Sequence, residues 1–221
     1  MPITPRVPGP PPAPAVGAGV RRGTASDLRQ AVQVLAEAFA DDPVARWQLP
    51  DPGRRAAVLP AFFAFFVGEA LRVDGLLVAG DLAGVRLFSP PCRAPAGEAQ
   101  DAPAHAARKA DFERALRERT GEDAHRTLQL FRLLDARRPR HTPHYHLVFS
   151  AVRPSLRGRG IGTATLRHVL RRADRERVGV YVESSTRRSQ RLVLRHGFVP
   201  LPVLSLPGGP CLHPSWRAPV T

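Results

Sequence analysis

The stretch "VRPSLRGRGIGTATL" (residues 152–166) sets three glycines and three arginines between an apolar run and an amphipathic one. Four readings compete for it. A P-loop needs GxxxxGK[ST], and this segment has no lysine. A dinucleotide fingerprint would need glycine at 158, 160 and 163. Thr163 breaks that pattern, and residues 153–157 separate the strand from the first glycine, although Glu183 lies at a ribose-binding distance downstream. A plain flexible turn does not explain why glycines alternate directly ahead of a helix. Alternate glycines let successive backbone N–H groups face one concavity. A helix behind them adds free N–H groups and the positive end of its dipole. Arg157 and Arg159 add charge-assisted donors. Together these features describe a pyrophosphate cradle.

Outward from the loop, "HYHLVFSAV" (residues 144–152) reads as an apolar strand. A helix follows from Gly160 to about Arg177, with Leu166, Val169, Leu170 and Ala173 on one face. "VGVYVESS" (residues 178–185) is the next strand, so the unit is strand–helix–strand with its two strands parallel. Residues 187–196 form a short helix stopped by Gly197. "FVPLPVLSL" and "GGPCLHPSW" read as two final strands around a Pro-Gly-Gly turn.

Before the loop, "VRRGTASDLRQAVQVLAEAFADDP" reads as a strand, a Thr24-to-Asp27 cap and a helix ended by Asp41, Asp42 and Pro43. A second helix is predicted across residues 54–73, starting near Pro60, and Phe62, Phe63, Phe65 and Phe66 make it apolar nearly all round. "GLLVAGDLAGVRLFSPP" is a hairpin pattern, and residues 97–138 read as mostly helical, broken near Gly121. The expected class is α+β: a mostly antiparallel mixed sheet flanked by helices, with one parallel strand–helix–strand unit. Residues 1–18, rich in Pro, Ala and Gly, are expected to be a disordered tail before a single domain over 19–221.

With 43% hydrophobic and 24% charged residues the chain reads as globular. Lys109 is the only lysine, so the net charge of +14 is almost all arginine and reflects residue usage as much as function. Arg167, Arg171, Arg172 and Arg175 lie along the helix after the loop, but Asp174 and Glu176 interrupt them and aromatic interleaving is scarce, which argues against a nucleic-acid surface. Cys92 and Cys211 are far apart, without metal-ligand spacing, and read as free thiols with no metal site. The N-terminus does not read as a secretory signal, and "AAVLPAFFAFFVG" is too short to span a bilayer, so a cytoplasmic protein without a membrane partner is expected.

The pattern V-x-P-x-x-R-G-x-G-I-G-x-x-x-L over 152–166 resembles the acyl-CoA loop of the GNAT superfamily of N-acyltransferases, with Arg157, Gly160 and Gly162 on its Gln/Arg-x-x-Gly-x-Gly/Ala positions. The N-terminal helices, the "HGF" step at 196–198 and the last strand resemble puromycin N-acetyltransferase-like members. The resemblance implies acetyl-CoA or a similar acyl-CoA as donor. Its pyrophosphate would lie on Arg157, Gly158, Arg159, Gly160, Ile161, Gly162 and Thr163, with its pantetheine beside Ala151 and Val152. The acceptor would be an amine, most simply on a small molecule. Oligomeric state, monomer or dimer, is left open.

The family's usual tyrosine acid falls here on Val193, and its helix-start asparagine on Ser189. Either the thiolate leaves with help from water, Ser185 or Ser189, or the chain is an acyl-CoA-binding module without turnover. A thiol with an ordinary pKa of about 8.5 leaves tolerably without a strong acid. Candidate bases are His144, His146 and Glu183 on the two strands around the loop. Asp41 and Asp42 could attract a cationic amine, and the Phe62–Phe66 cluster could wall its pocket. The competing reading of each is a solvated helix end or plain core, and packing is the expected role of Tyr145 and Tyr181.

Overall fold

A computed structural model describes residues 19–91, 102–139 and 142–220. The expected tail over residues 1–18 and Cys92 lie outside them, and Cys211 is an exposed free thiol. The chain runs β1 (Val20–Arg22), α1 (Leu28–Phe39), α2 (Pro43–Gln48), α3 (Pro52–Arg72), β2 (Leu76–Ala79) and β3 (Gly84–Ser89). It continues through α4 (Ala102–Thr120), α5 (Ala124–Arg137), β4 (His144–Val152), α6 (Ile161–Glu176), β5 (Gly179–Ser184) and α7 (Arg187–Leu194). Three strands close it: β6 (Val199–Pro200), β7 (Leu204–Ser205) and β8 (Cys211–Arg217). The sheet order is β1-β2-β3-β4-β5-β8-β6, with β7 paired to β8. Every pairing is antiparallel except β4 with β5, the two strands that α6 connects. The α+β class and its single parallel unit are as the sequence predicts.

Two cores sit on opposite faces of the sheet. α1, α3 and the α4–α5 pair bury Leu35, Phe63, Val67, Leu116 and Leu128 against Val78, Val85 and Leu87. On the other face α6 and α7 bury Leu166, Val169, Ala173 and Val193 against Leu147, Val180 and Val182. Among the described residues no helix is long and apolar enough to cross a membrane.

Three local expectations are corrected. Asp42–Pro43 stops α1 but also starts α2: the Asp42 carboxylate accepts from the Val44 and Ala45 N–H groups (2.9 and 3.3 Å), and Pro43 takes the first helical position, where no N–H is needed. α3 begins at Pro52, capped by Asp51, not near Pro60. Pro60 is accommodated inside a 21-residue helix whose buried face, including Phe62, Phe63 and Phe66, outweighs the lost hydrogen bond. Finally, "FVPLPVLSL" is two short strands, because Pro200 and Pro202 have no N–H to continue a ladder.

Candidate active site

The central feature is a parting of β4 from β5. The two strands pair only from His144↔Gly179 to Leu147↔Val182. Beyond Leu147, β4 continues to Val152 paired with β3 alone, while β5 continues through Glu183 and Ser184 paired with β8. The β3 partners step from Leu147↔Phe88 to Phe149↔Leu87, which leaves Val148 as a bulge. A bulged residue bends its strand, and this one lies where the strands separate.

The glycine loop stands at the mouth of the parting. Gly158 and Gly160 have φ of +84° and +80°, left-handed values that glycine adopts without strain. A Cβ at either would enter open space. Gly160 is the N-cap of α6 and supplies no side-chain cap, so the first-turn N–H groups of Ile161, Gly162 and Thr163 have no helical acceptor. Arg157 reaches back to the Ala38 carbonyl (3.2 Å) and lines the cleft; Arg159 is exposed and does not. Beneath the first turn lies Arg86 of β3, 3% exposed, donating to Thr165 Oγ1 and the Gly162 carbonyl (both 3.2 Å). No carboxylate among the described residues pairs with it, and burial pushes its pKa down to about 10.

Loop and parting open into one cleft of about 1210 Å³ that passes through the sheet. Ala151, Val152 and the loop line its outer half together with Ser189 and Val193 of α7. Val193 is buried against the α6 core. Ser189 closes the cap of α7: its N–H bonds Thr186 Oγ1 (3.1 Å) and its hydroxyl bonds the Thr186 carbonyl (2.9 Å).

Two polar pairs line the inner half. Ser185 Oγ, just past β5, donates to Asp42 Oδ2 (2.5 Å). Burial pushes the Asp42 carboxyl above its ordinary value, although Ser185, Val44 and Ala45 all donate to it. His146 Nε2 meets Glu183 Oε2 at 2.6 Å, and its Nδ1 is taken by Arg138. A guanidinium only donates, so in this contact Nδ1 is the acceptor, while Nε2 faces Glu183. Burial alone would raise Glu183; the His146 ring and its hydrogen bond, the nearby Tyr181 hydroxyl and the Arg138 charge outweigh it and hold the carboxyl below its usual value. Glu183 Oε1 is buried without a hydrogen bond.

Of the sequence candidates, His146, Glu183, Ser189, Ala151, Val152, Arg157, Gly158, Gly160, Ile161, Gly162 and Thr163 line this cleft. His144 does not. Its Nδ1 bonds the Thr142 carbonyl (2.7 Å), its ring packs edge-on to Trp216, and burial lowers its pKa. Asp41 and Asp42 both line the cleft, with Asp41 exposed. Tyr145 and Tyr181 are fully buried. Sequence reasoning missed Arg86, Arg138 and the pairing of Asp42 with Ser185. A lone arginine inside a strand pattern was the available signal for Arg86; nothing local marks the other two.

An Acetyltransferase (GNAT) family model matches residues 106–198. The structure is similar to that of a histone acetyltransferase HPA2 and related acetyltransferase from Corynebacterium glutamicum, at 28% identity and TM-score 0.69 over 93% of this chain and 98% of that one. It is also similar to arylalkylamine N-acetyltransferase 2 from Aedes aegypti (15%, TM-score 0.68, 91% and 98%). A third likeness is to the Drosophila melanogaster polyamine N-acetyltransferase that forms N-acetylagmatine (20%, TM-score 0.62, 91% and 99%). The open, mostly antiparallel sheet with one parallel pair is the GNAT fold.

Proposed function

We propose that this chain is a GNAT-superfamily N-acyltransferase that moves an acetyl group from acetyl-CoA to the primary amine of a small molecule by direct attack. One observation carries the reading: the β4–β5 parting is flanked by a helix N-terminus with an open glycine concavity on one side and by the Asp42–Ser185 pair on the other, within one cleft. The family match and the acetyltransferase neighbours support it.

The residues fit the donor chemically. A pyrophosphate suits the free N–H groups of Ile161, Gly162 and Thr163 and the space left at Gly158 and Gly160. An extended pantetheine arm suits the edge of β4 that has no β5 partner beyond Leu147. Acetyl-CoA supplies the activated acyl group. N–H groups of β4 pointing away from β3 are available to the thioester oxygen as negative charge develops there.

The amine must shed a proton to attack. Its proton passes to Ser185 Oγ as Ser185 gives its own to Asp42 Oδ2. The new C–N bond forms, the C–S bond breaks, and the second nitrogen proton, released as the amide forms, passes through water in the cleft to the departing sulfur. His146 is less suited to accept the amine's first proton, because Arg138 already occupies its Nδ1 lone pair. Ser189 and Glu183 line the same cleft in other roles. The first holds the α7 cap, and the second offers its unbonded oxygen to a cationic acceptor.

Val193 favours a second reading, an acyl-CoA-binding module without turnover, since a buried valine replaces the usual acid. Calorimetric titration with acetyl-CoA followed by thiol-release assays over a panel of amines separates the two. Tight acetyl-CoA binding with no turnover of any amine would sink the enzyme reading.

A further inference from the structure

Only 6% of the residues are aromatic, yet seven of the ten phenylalanines line this one cleft. Phe66 stacks on Phe131 (centroids 5.5 Å, 17° between planes) and meets Phe149 edge-on at 5.0 Å, and Phe112 meets Phe131 edge-on at 5.3 Å. Phe112, Phe131 and Phe149 come from α4, α5 and β4, and none of them is fully buried. The core on the opposite face of the sheet is built mainly from Leu, Val and Ala. The phenyl edges and faces left uncovered therefore border the same cleft that Asp42, Ser185 and Glu183 line.

On α4 and α5 the charges that line the cleft are matched in pairs. Arg132 grips Glu113 with two hydrogen bonds (2.9 and 2.6 Å), and this holds the Glu113 carboxyl below its usual value. Lys109 bonds Asp135 at 2.9 Å. A second or third ammonium group would have to break these ion pairs to find a partner on α4 or α5. Glu183 differs: it keeps one buried oxygen without a hydrogen bond.

From this geometry we infer that the acceptor is a monoamine with an aromatic or comparably bulky apolar body, its amino group at Asp42, Ser185 and Glu183 and its body among Phe66, Phe112, Phe131 and Phe149. A polyamine is a poor acceptor. The inference rests on the N-acyltransferase reading and names the substrate class of that site. Burying one phenyl group is worth about 1.5–3 kcal/mol, which corresponds to roughly tenfold or more in affinity.

The test is a thiol-release assay on the full chain with acetyl-CoA, comparing 2-phenylethylamine, tryptamine, n-propylamine, agmatine and spermidine. The expected result is a kcat/KM for the two aromatic amines at least about tenfold above that for agmatine and spermidine. Phe131→Ala should raise KM for 2-phenylethylamine far more than for n-propylamine while acetyl-CoA affinity stays intact. Phe112→Leu, a milder change, should act in the same direction if Phe131→Ala does not fold. Preference for agmatine or spermidine, or equal effects of the Phe variants on both monoamines, would overturn the inference and leave the N-acyltransferase reading standing. Binding of acetyl-CoA without turnover of any of the five amines would overturn both.

Discussion

Ser185 and Asp42 are 143 positions apart in the chain and share a hydrogen bond across the cleft, Ser185 Oγ donating to Asp42 Oδ2. Asp42 is also the N-cap of α2, so its carboxylate is fixed by Val44 and Ala45 at one oxygen and faces Ser185 with the other. That division lets one oxygen serve structure while the other takes a proton. Asn at position 42 keeps an acceptor for the α2 N–H groups but loses the base. We therefore expect Asp42→Asn to lower kcat/KM by roughly 10²-fold or more, the usual contribution of a general base, with the helix retained. Ser185→Ala should give a loss in the same direction. Steady-state kinetics with circular dichroism checks both.

The pH dependence follows from the same group. The proposed proton path needs Asp42 ionised, so kcat/KM should rise with pH as its proton leaves. Burial raises Asp42, which puts this limb above the ordinary carboxylate range. For stability the sign is opposite: a carboxyl raised in the folded state favours folding when protonated. That contribution is complete below the unfolded pKa and is lost as pH rises through the folded one. Asp42→Asn should accordingly be no less stable than the parent at neutral pH, and it should lack the acid limb. A pH–rate profile and thermal melts at several pH values measure the two effects.

A different outcome is expected one turn before Val193. Ser189 has its N–H and hydroxyl engaged with Thr186 in the α7 cap. If water reprotonates the departing thiolate, Ser189→Ala loses cap stability but not chemistry. Its kcat should stay well short of the roughly 10²–10⁴-fold loss that removing a general acid causes. The Thr186 N-cap bond to the Ser189 N–H survives, so stability should fall only by about 0.5–1.5 kcal/mol, typical of one lost hydrogen bond. A large drop in kcat with an unchanged melting temperature would assign the acid to Ser189.

These contrasts show what was legible in the chain itself. β4 is found at residues 144–152, as its apolar run indicates, and α6 begins one residue past the glycine predicted to open it. Such features are local, written in alternation, helical spacing and glycine placement. The parting of β4 from β5 is different, because it depends on the Val148 bulge and on β3 and β8 holding the two strands apart. The Asp42–Ser185 pair and the Arg138 contact to His146 are likewise products of tertiary packing. Asp42–Pro43 reads locally as a helix stop only, since the same residues that end one helix cap the next. His144 and His146 are alike in sequence, and only the end of the β4–β5 pairing separates the one at the cleft from the one beside Trp216.

Gly160 offers a direct test of the donor site. Its φ of +80° disfavours any side chain by about 1–2 kcal/mol, least for Asn and Asp. Gly160→Asp and Gly160→Asn make the same demand on the backbone, but only Asp adds a negative charge in the open space at the α6 N-terminus. Titration calorimetry should find acetyl-CoA binding abolished in Gly160→Asp and partly kept in Gly160→Asn. Equal affinities in the two variants would place the pyrophosphate elsewhere.

Arg86 makes the last prediction the most discriminating. Its guanidinium is buried beneath the first turn of α6, close to the positive end of the helix, with hydroxyl and carbonyl acceptors but no anion. Methionine fills a similar volume. It would strand no polar group, because Thr165 Oγ1 already donates to the Gly162 carbonyl at 3.1 Å. Removing a buried, uncompensated charge should leave the ligand-free protein as stable as the parent, or more so by about 1 kcal/mol. An acetyl-CoA pyrophosphate at the α6 N-terminus would give Arg86 the negative charge it lacks, so Arg86→Met should weaken acetyl-CoA binding by roughly tenfold, about 1.4 kcal/mol. Arg86→Lys keeps the charge and should recover part of that loss. Thermal melts with and without acetyl-CoA read both effects together: the Met variant should melt at or above the parent when free and gain less from the ligand. A destabilised free protein with unaltered acetyl-CoA affinity would make Arg86 a packing residue and nothing more.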